Sequence, residues 1–149
     1  MNNYYDNLLI KYVESRKINY KVISNTSDYI ENMNNCFPFV GERIDFSKLN
    51  DAKYVKSDQE NISYDSVHFI ENLIDTKICS KDDVIIYIGD SLTENGYELY
   101  LSDLLKIISF LVSEIPQHHY FLFKDFKNLS FASNDFLRQR HKKTTWILA

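Results

Sequence analysis

Apolar and polar residues along the chain follow periodicities that predict a mixture of helices and strands. Tyr4–Ser15 has apolar residues three and four positions apart, which is typical of a helix with one buried face. Ser27–Cys36 and Ser63–Lys77 show the same spacing and are also predicted to be helices. Ile18–Val22 alternates apolar and polar residues, which indicates a half-buried strand, and Thr144–Leu148 is predicted as a further strand.

The strongest pattern begins with Val84–Ile88, an unbroken run of β-branched and aromatic residues. Such a run is typical of a strand that is buried on both faces. A connection follows from residue 89, and Asn95 and Glu98 have the spacing of a helix capping box. We therefore predict a helix that is capped by Asn95 and runs to about Glu114, because Pro116 prevents it from continuing.

His119–Phe123 is the second run that is typical of a buried strand. A strand, a helix of about 17 residues and a strand in succession predict a right-handed βαβ crossover. Residues 41–61 are predicted as a long loop with room for a short strand or helical turn, and residues 128–140 as a loop with a short helix near Ser133. The predicted fold is α/β or α+β, a single compact domain over residues 1–149 with a small central sheet that contains the βαβ unit and carries helices packed on it.

Composition narrows the class of protein. The chain has 149 residues, which fits one domain, and only 3 glycines and 2 prolines, which argues against an all-β architecture with repeated turns. Its apolar runs are far shorter than the ~20 residues of a membrane span. The first residues have neither the basic start nor the apolar core of a signal peptide, so we expect a cytoplasmic protein in which Cys36 and Cys79 are reduced.

Negative charge is concentrated in one part of the chain. The net charge is −4, with 17 acidic and 10 basic residues in positions 1–98 but 4 acidic and 7 basic residues in positions 99–149. Negative charge disfavours direct binding to nucleic acid and attracts a basic partner. The one basic patch, Arg138–Lys143, is interpreted as a solvated turn, with contact to nucleic acid or to an acidic membrane surface as the alternative.

The spacing of histidine and cysteine predicts no metal site, and no cofactor is predicted. Neither Cys-x-x-Cys nor His-x-x-x-His occurs, and the adjacent His118 and His119 would point to opposite faces of their strand. Three glycines cannot supply a glycine-rich phosphate loop.

Residues 89–93, Gly-Asp-Ser-Leu-Thr, offer one candidate for catalysis. They resemble the first sequence block of the GDSL esterase and lipase family, in which the serine is the nucleophile, here Ser91. A serine on a tight turn after a strand is exposed and lies near backbone amides that could hold an oxyanion. However, the family's Asp-x-x-His pair, which lies C-terminal to this block in the family, does not occur after residue 93 in this sequence. The alternative is a turn whose Asp90 and Ser91 side chains bond to the backbone.

A second resemblance points to protein binding. Residues 84–98 (VIIYIGDSLTENGYE), the leucine-rich helix after them and residues 115–121 resemble the immunity proteins of bacterial contact-dependent growth inhibition systems. The resemblance implies a non-enzymatic cytoplasmic protein that neutralises the C-terminal domain of a cognate toxin, a ribonuclease in the most similar cases, in a 1:1 complex. It implies no catalytic residue, cofactor or metal, and neither nucleic acid nor a membrane as a partner.

Acidic residues and tyrosines mix in two segments, and carboxylates with aromatic anchors suit binding to the basic surface of a nuclease. We therefore predict that the toxin-binding residues form two groups, which are Asp90, Glu94, Tyr97 and Glu98 in the first and Asp58, Glu60, Tyr64 and Asp65 in the second.

Overall fold

The computed structural model describes residues 2–36, 39–40, 43–44, 53–58, 60–124, 130–135 and 143–148, with side chains in residues 2–31 and 60–124. Within these residues it contains four helices and nine strands. The helices are α1 (Tyr4–Ser15), α2 (Ser27–Cys36), α3 (Ile62–Asp75) and α4 (Leu101–Glu114). The strands are β1 (Lys21–Ile23), β2 (Phe39–Val40), β3 (Arg43–Ile44), β4 (Lys53–Asp58), β5 (Val84–Gly89), β6 (Gly96–Tyr100), β7 (His119–Phe123), β8 (Ser130–Asp135) and β9 (Lys143–Leu148).

Seven strands form one sheet in which every neighbouring pair is antiparallel. Their order across the sheet is β1-β6-β5-β7-β8-β9-β4, and β2 and β3 form a separate two-stranded ribbon. An antiparallel sheet with helices packed on it is an α+β arrangement, which confirms the predicted fold class.

The main core lies between this sheet and helices α1, α3 and α4. Ile85 and Tyr87 of β5 belong to the core cluster, together with Phe121 of β7 and Leu104 of α4. Ile86, which points to the other face of β5, is also fully buried. The prediction that β5 is buried on both faces is therefore confirmed.

The helical crossover exists, but its first strand is not the predicted one. β5 and β7 are direct neighbours and run antiparallel, with Ile86 opposite Leu122. The reason is β6, which forms a hairpin with β5 and reverses the chain before α4 begins. β6 and β7 therefore run in the same direction, α4 connects them, and β5 lies between them in the sheet.

The predicted start of α4 was wrong by several residues. Asn95 and Glu98 do not cap a helix, because Gly96–Tyr100 is a strand whose Tyr97 and Leu99 face inward at a spacing of two. α4 begins at Leu101, whose amide donates to the carbonyl of Asp83 at 2.8 Å. The first turn of α4 is thus satisfied by the backbone before β5 rather than by a side-chain cap.

The other predictions of elements have mixed outcomes. The predicted bounds of α1, α2 and β7 are those of the structure, and α3 and β9 differ from prediction by one or two residues. The loop predicted at 41–61 contains β3 and the six-residue strand β4, while residues 45–52 lie outside the described part. No helix forms near Ser133, because Ser130–Asp135 is strand β8. Residues 138–142 of the basic patch lie outside the described residues.

Candidate functional site

The loop from Asp90 to Asn95 joins β5 to β6. Two buried side chains that are distant from it in sequence, Gln117 and Asp6, hold its backbone in place. Gln117 precedes β7, and its side-chain carbonyl accepts the amides of Ser91, Leu92 and Thr93 at 3.2, 2.7 and 3.2 Å. Its Nε2 donates to the hydroxyl of Tyr87 and to Thr93 Oγ1 at 3.0 and 2.8 Å. Gln117 is only 3% exposed, so every polar group of this side chain is used inside the protein.

Asp6 of α1 holds the second half of the loop. Its carboxylate is fully buried and accepts the amides of Glu94 and Asn95 at 2.8 and 3.3 Å, and the hydroxyl of Tyr97 at 2.5 Å. Asp6 can take this position because Asn3 caps α1 and accepts the Asp6 amide at 2.8 Å. A carboxylate in the first turn of a helix is also favoured by the helix dipole. The two side chains Gln117 and Asp6 therefore accept five consecutive backbone amides of the loop.

A buried chain of hydrogen bonds continues from Gln117 into the core. The Tyr87 hydroxyl accepts from Gln117 and also shares a hydrogen bond with Nδ1 of His119, which lies 2.7 Å away. Burial lowers the pKa of His119 to about 3, so the ring is neutral at pH 7. Burial likewise raises the pKa values of Tyr87 and Tyr97, which keeps both hydroxyls protonated.

Asp90 fixes the start of the loop to the residue before β7. One carboxylate oxygen accepts the amide of His118 at 3.1 Å, and the other lies 2.5 Å from Nδ1 of the same residue. His118, just before β7, and His119, the first residue of β7, therefore contact different groups.

The geometry around Ser91 does not assemble the groups that a serine nucleophile needs. Its side chain is exposed, but no hydrogen bond joins its hydroxyl to a histidine in the described part of the chain. The amides of Ser91, Leu92 and Thr93, which could hold an oxyanion, already donate to Gln117. An acyl-transfer site would need both features to be available.

The first group of predicted toxin-binding residues divides into exposed and internally bonded side chains. Glu94 is exposed. Asp90 bonds to His118 as described, and Glu98 accepts from the ammonium group of Lys124 at 2.6 Å. Tyr97 is 3% exposed and faces the core, so its ring does not reach the surface in this conformation.

The second group lies on another part of the molecule. Glu60 and Tyr64 are exposed, and Asp65 is half-buried in the first turn of α3. Asp58 belongs to β4, and its side chain lies outside the described residues. α3 packs against α4, whereas the Asp90–Asn95 loop is bonded to α1, so the two groups occupy different elements.

Sequence reasoning missed Asp6, Asn3 and Gln117. Asn3 bonds to the carbonyl of Leu92 at 2.8 Å. The only sequence signal was an Asn followed three residues later by an Asp at the start of a helix, which predicts a cap but not a contact 88 or more residues away. Nothing near Gln117 in the sequence indicates that its amide accepts three backbone groups.

No three metal-ligating side chains lie together among the described residues. Cys79 is a buried free cysteine, and the side chain of Cys36 lies outside the described part. None of the helices, within the residues described, has the length and apolar character to span a membrane.

Comparison of the chain with protein-family models, curated proteins and solved structures gives no match.

Proposed function

We propose that this protein is an immunity protein that binds and neutralises a cognate toxin domain of a bacterial contact-dependent growth inhibition system. The toxin domain is a basic nuclease, the complex is 1:1, and the cytoplasm is where the two proteins meet. The protein acts by covering the cationic surface with which the nuclease would hold the phosphates of RNA, not by catalysis.

The observation that carries this proposal is the internal saturation of the Asp90–Asn95 loop. Five consecutive amides donate to Gln117 and Asp6, so the loop cannot use them to bind an anion or to stabilise an oxyanion. The loop exposes the side chains of Ser91 and Glu94, and the Glu94 carboxylate is thus presented to solvent on a backbone that is already ordered. A preordered loop loses little conformational entropy on binding, which favours tight association with a partner.

Charge and sequence pattern support the same proposal. The chain is acidic overall, and its acidic residues outnumber its basic residues most strongly in positions 42–98, by 13 to 6. The electrostatic field of this excess negative charge speeds association with a basic protein and repels nucleic acid. The resemblance of residues 84–121 to immunity proteins points to the same class of partner.

The direct test is co-expression with the toxin-like C-terminal domain encoded by the adjacent gene. We expect the two proteins to purify as a 1:1 complex and the toxic activity of the domain to be lost. Failure to form a complex together with undiminished toxicity would refute the proposal.

The contribution of the loop is tested by Glu94→Lys, measured by titration calorimetry against the same domain. We expect at least tenfold weaker binding, because a like charge against a basic surface costs about 1.4 kcal/mol or more. Glu114→Lys, an exposed charge reversal at the end of α4, is the matched control and should change the affinity less than twofold. Triple reversal of Asp90, Glu94 and Glu98 is a poor test, because two of these residues make internal bonds.

The second candidate function is a small serine esterase that uses Ser91. The contact between Asp90 and Nδ1 of His118 favours it, because such a contact orients the base of a serine hydrolase. The test is hydrolysis of short acyl nitrophenyl esters. Turnover that is abolished by Ser91→Ala and by His118→Ala would support the esterase, and equal rates for the wild type and both variants would exclude it.

A further inference from the structure

The outward face of α3 carries a continuous stripe of exposed residues. At 100° per residue, its four positions within the helix (64, 68, 71 and 75) fall within about 60° of the helix circumference, and its fifth position, residue 60, lies in the turn before the helix begins. The buried residues of α3, which include Phe69 and Leu73, lie on the opposite side. We call this surface the α3 stripe, and its members are Glu60 in the preceding turn and Tyr64, His68, Glu71 and Asp75 in the helix, all of which are exposed.

An ordered aromatic pair lies near one end of the α3 stripe. Tyr64 is 71% exposed, the largest exposure among the large hydrophobic side chains of the described part, yet its ring contacts a neighbouring side chain. It stacks on the imidazole of His68, with ring centroids 5.8 Å apart and an angle of 7° between the planes. One face of the tyrosine ring is thereby covered, and the rest of the side chain is accessible to a partner.

The charges of the α3 stripe are all of one sign. Residues 60–76 contain four acidic residues and neither lysine nor arginine. Glu71 and Asp75 are four residues apart on the helix, where like charges repel and destabilise it. Asp75 also lies in the last turn, where the helix dipole disfavours an anion. Glu71 and Asp75 therefore contribute nothing favourable to the helix through their charges, and a cationic partner would relieve the repulsion.

We infer that the α3 stripe is an arginine-binding surface for a basic protein partner. The inference rests on the proposed function and adds which surface and which side-chain chemistry make the contact. A guanidinium group stacks on the accessible face of Tyr64, where the ring quadrupole attracts it, and the Glu60 carboxylate accepts its N–H groups. Glu71 lies about 10 Å further along the helix and accepts a second guanidinium, in the bidentate geometry that lysine cannot provide. From Tyr64 to Asp75 the surface is about 16 Å long, enough for two or three cationic side chains.

The test uses the full chain labelled with ¹⁵N and an alanine-based helical peptide that carries arginines four residues apart. Two comparison peptides carry lysine or glutamate at the same positions. We expect the arginine peptide to shift the amide resonances of residues 60–76 and to bind at least threefold more tightly than the lysine peptide. The glutamate peptide should cause no shift. Equal affinity for the arginine and lysine peptides, or shifts elsewhere with none in α3, would overturn the inference.

A pair of tyrosine variants isolates the aromatic contact. Tyr64→Ala should weaken binding of the arginine peptide about three- to fivefold. Tyr4→Ala is the matched control, because Tyr4 is 70% exposed on a helix but lies outside the α3 stripe, and it should change the affinity less than 1.5-fold. An unchanged affinity of Tyr64→Ala would contradict the proposed stacking. Circular dichroism should show the wild-type spectrum for both variants, since neither ring belongs to the core.

The two proposals fail in different ways. If the arginine peptide binds α3 but the co-expressed toxin domain does not bind, the proposed function is refuted and the arginine-binding surface stands. If the toxin domain binds and Tyr64→Ala leaves its affinity unchanged while Glu94→Lys weakens it, the proposed function stands and the α3 stripe is excluded as the contact.

Discussion

Gln117→Leu tests whether one buried amide holds the Asp90–Asn95 loop in place. Leucine has nearly the volume of glutamine, so the change removes hydrogen bonds without opening a large cavity. Five bonds are lost, three in which the side-chain carbonyl accepts loop amides and two in which the amide nitrogen donates to Tyr87 and Thr93.

The magnitude follows from which of these groups water can reach. Thr93 is 5% exposed, so neither its amide nor its hydroxyl can readily replace Gln117 by water. The amides of Ser91 and Leu92 are partly buried and would be partly hydrated. An unsatisfied buried group costs about 1–3 kcal/mol and a hydrated one much less, which gives a total loss of about 3 kcal/mol. For a domain of this size the loss lowers Tm by about 6–12 °C.

Urea denaturation and hydrogen exchange together check the prediction. We expect the free energy of unfolding of Gln117→Leu to fall by about 3 kcal/mol and the amides of residues 91–93 to exchange at least tenfold faster. Asn7→Ala is the control, because the Asn7 side chain makes one long bond at the surface, and it should lie within about 0.5 kcal/mol of the wild type. A loss below 1 kcal/mol with unchanged exchange of those amides would refute the reasoning.

Three further predictions follow from the same region and from the core. Gly89→Ala should lower the free energy of unfolding by about 1–3 kcal/mol in urea denaturation, because its Cβ would lie 1.9 Å from Gln117 Nε2 and 2.4 Å from Thr93 Oγ1; a wild-type midpoint would contradict it. The pKa of His119 is about 3 in the fold, below its ordinary 6.5, so the unfolded state binds more protons between these values and stability decreases as the pH falls from 6.5 towards 3. His119→Asn should reduce the slope of the free energy of unfolding against pH in that range by up to the contribution of one bound proton. An unchanged slope would exclude His119 as its source. Burial, followed by the nearby carboxylate of Asp83, raises the pKa of Cys79 to about 11, so alkylation of Cys79 at pH 7.5, followed by mass spectrometry, should be at least 100-fold slower than that of an unfolded control.

Sequence periodicity predicted the bounds of an element correctly where a single periodicity is uninterrupted. It misplaced the start of α4, where a short strand leads directly into the helix. The helical spacing in Tyr4–Ser15 is uninterrupted, and the element has the predicted bounds. Gly96–Tyr100 is only five residues long and leads directly into α4, so its inward Tyr97 and Leu99 could equally be the first turn of the helix. These residues form a strand because they pair with β5 and β1. Pairing between strands depends on tertiary structure, which a local sequence pattern does not contain.

The sequence pattern indicated the connection after β5 but not the internal bonds that hold it in place. The glycine and polar residues after β5 indicate a connection, and residue types alone suggested that Asp90 and Tyr97 face a partner. In the structure both serve internal bonds, because Tyr97 donates to the buried carboxylate of Asp6 and Asp90 accepts the amide of His118. Short polar side chains bond internally or externally depending on neighbours that are distant in sequence, so Asp6 and Gln117 could be found only from coordinates.

The bonds from Asp6 to the loop also constrain how the chain folds during synthesis. Its acceptor oxygens bond to donors that follow it by 88 to 91 residues, and Gln117 follows those donors by 20 to 23 residues. Because synthesis proceeds at about 5–20 residues per second, the donors to Asp6 leave the ribosome on the order of 5–20 s after α1 does. During that interval the first helix exposes Leu9 and Val13, residues that the finished protein buries. The nascent chain is therefore a stage at which a chaperone would have a specific segment to hold.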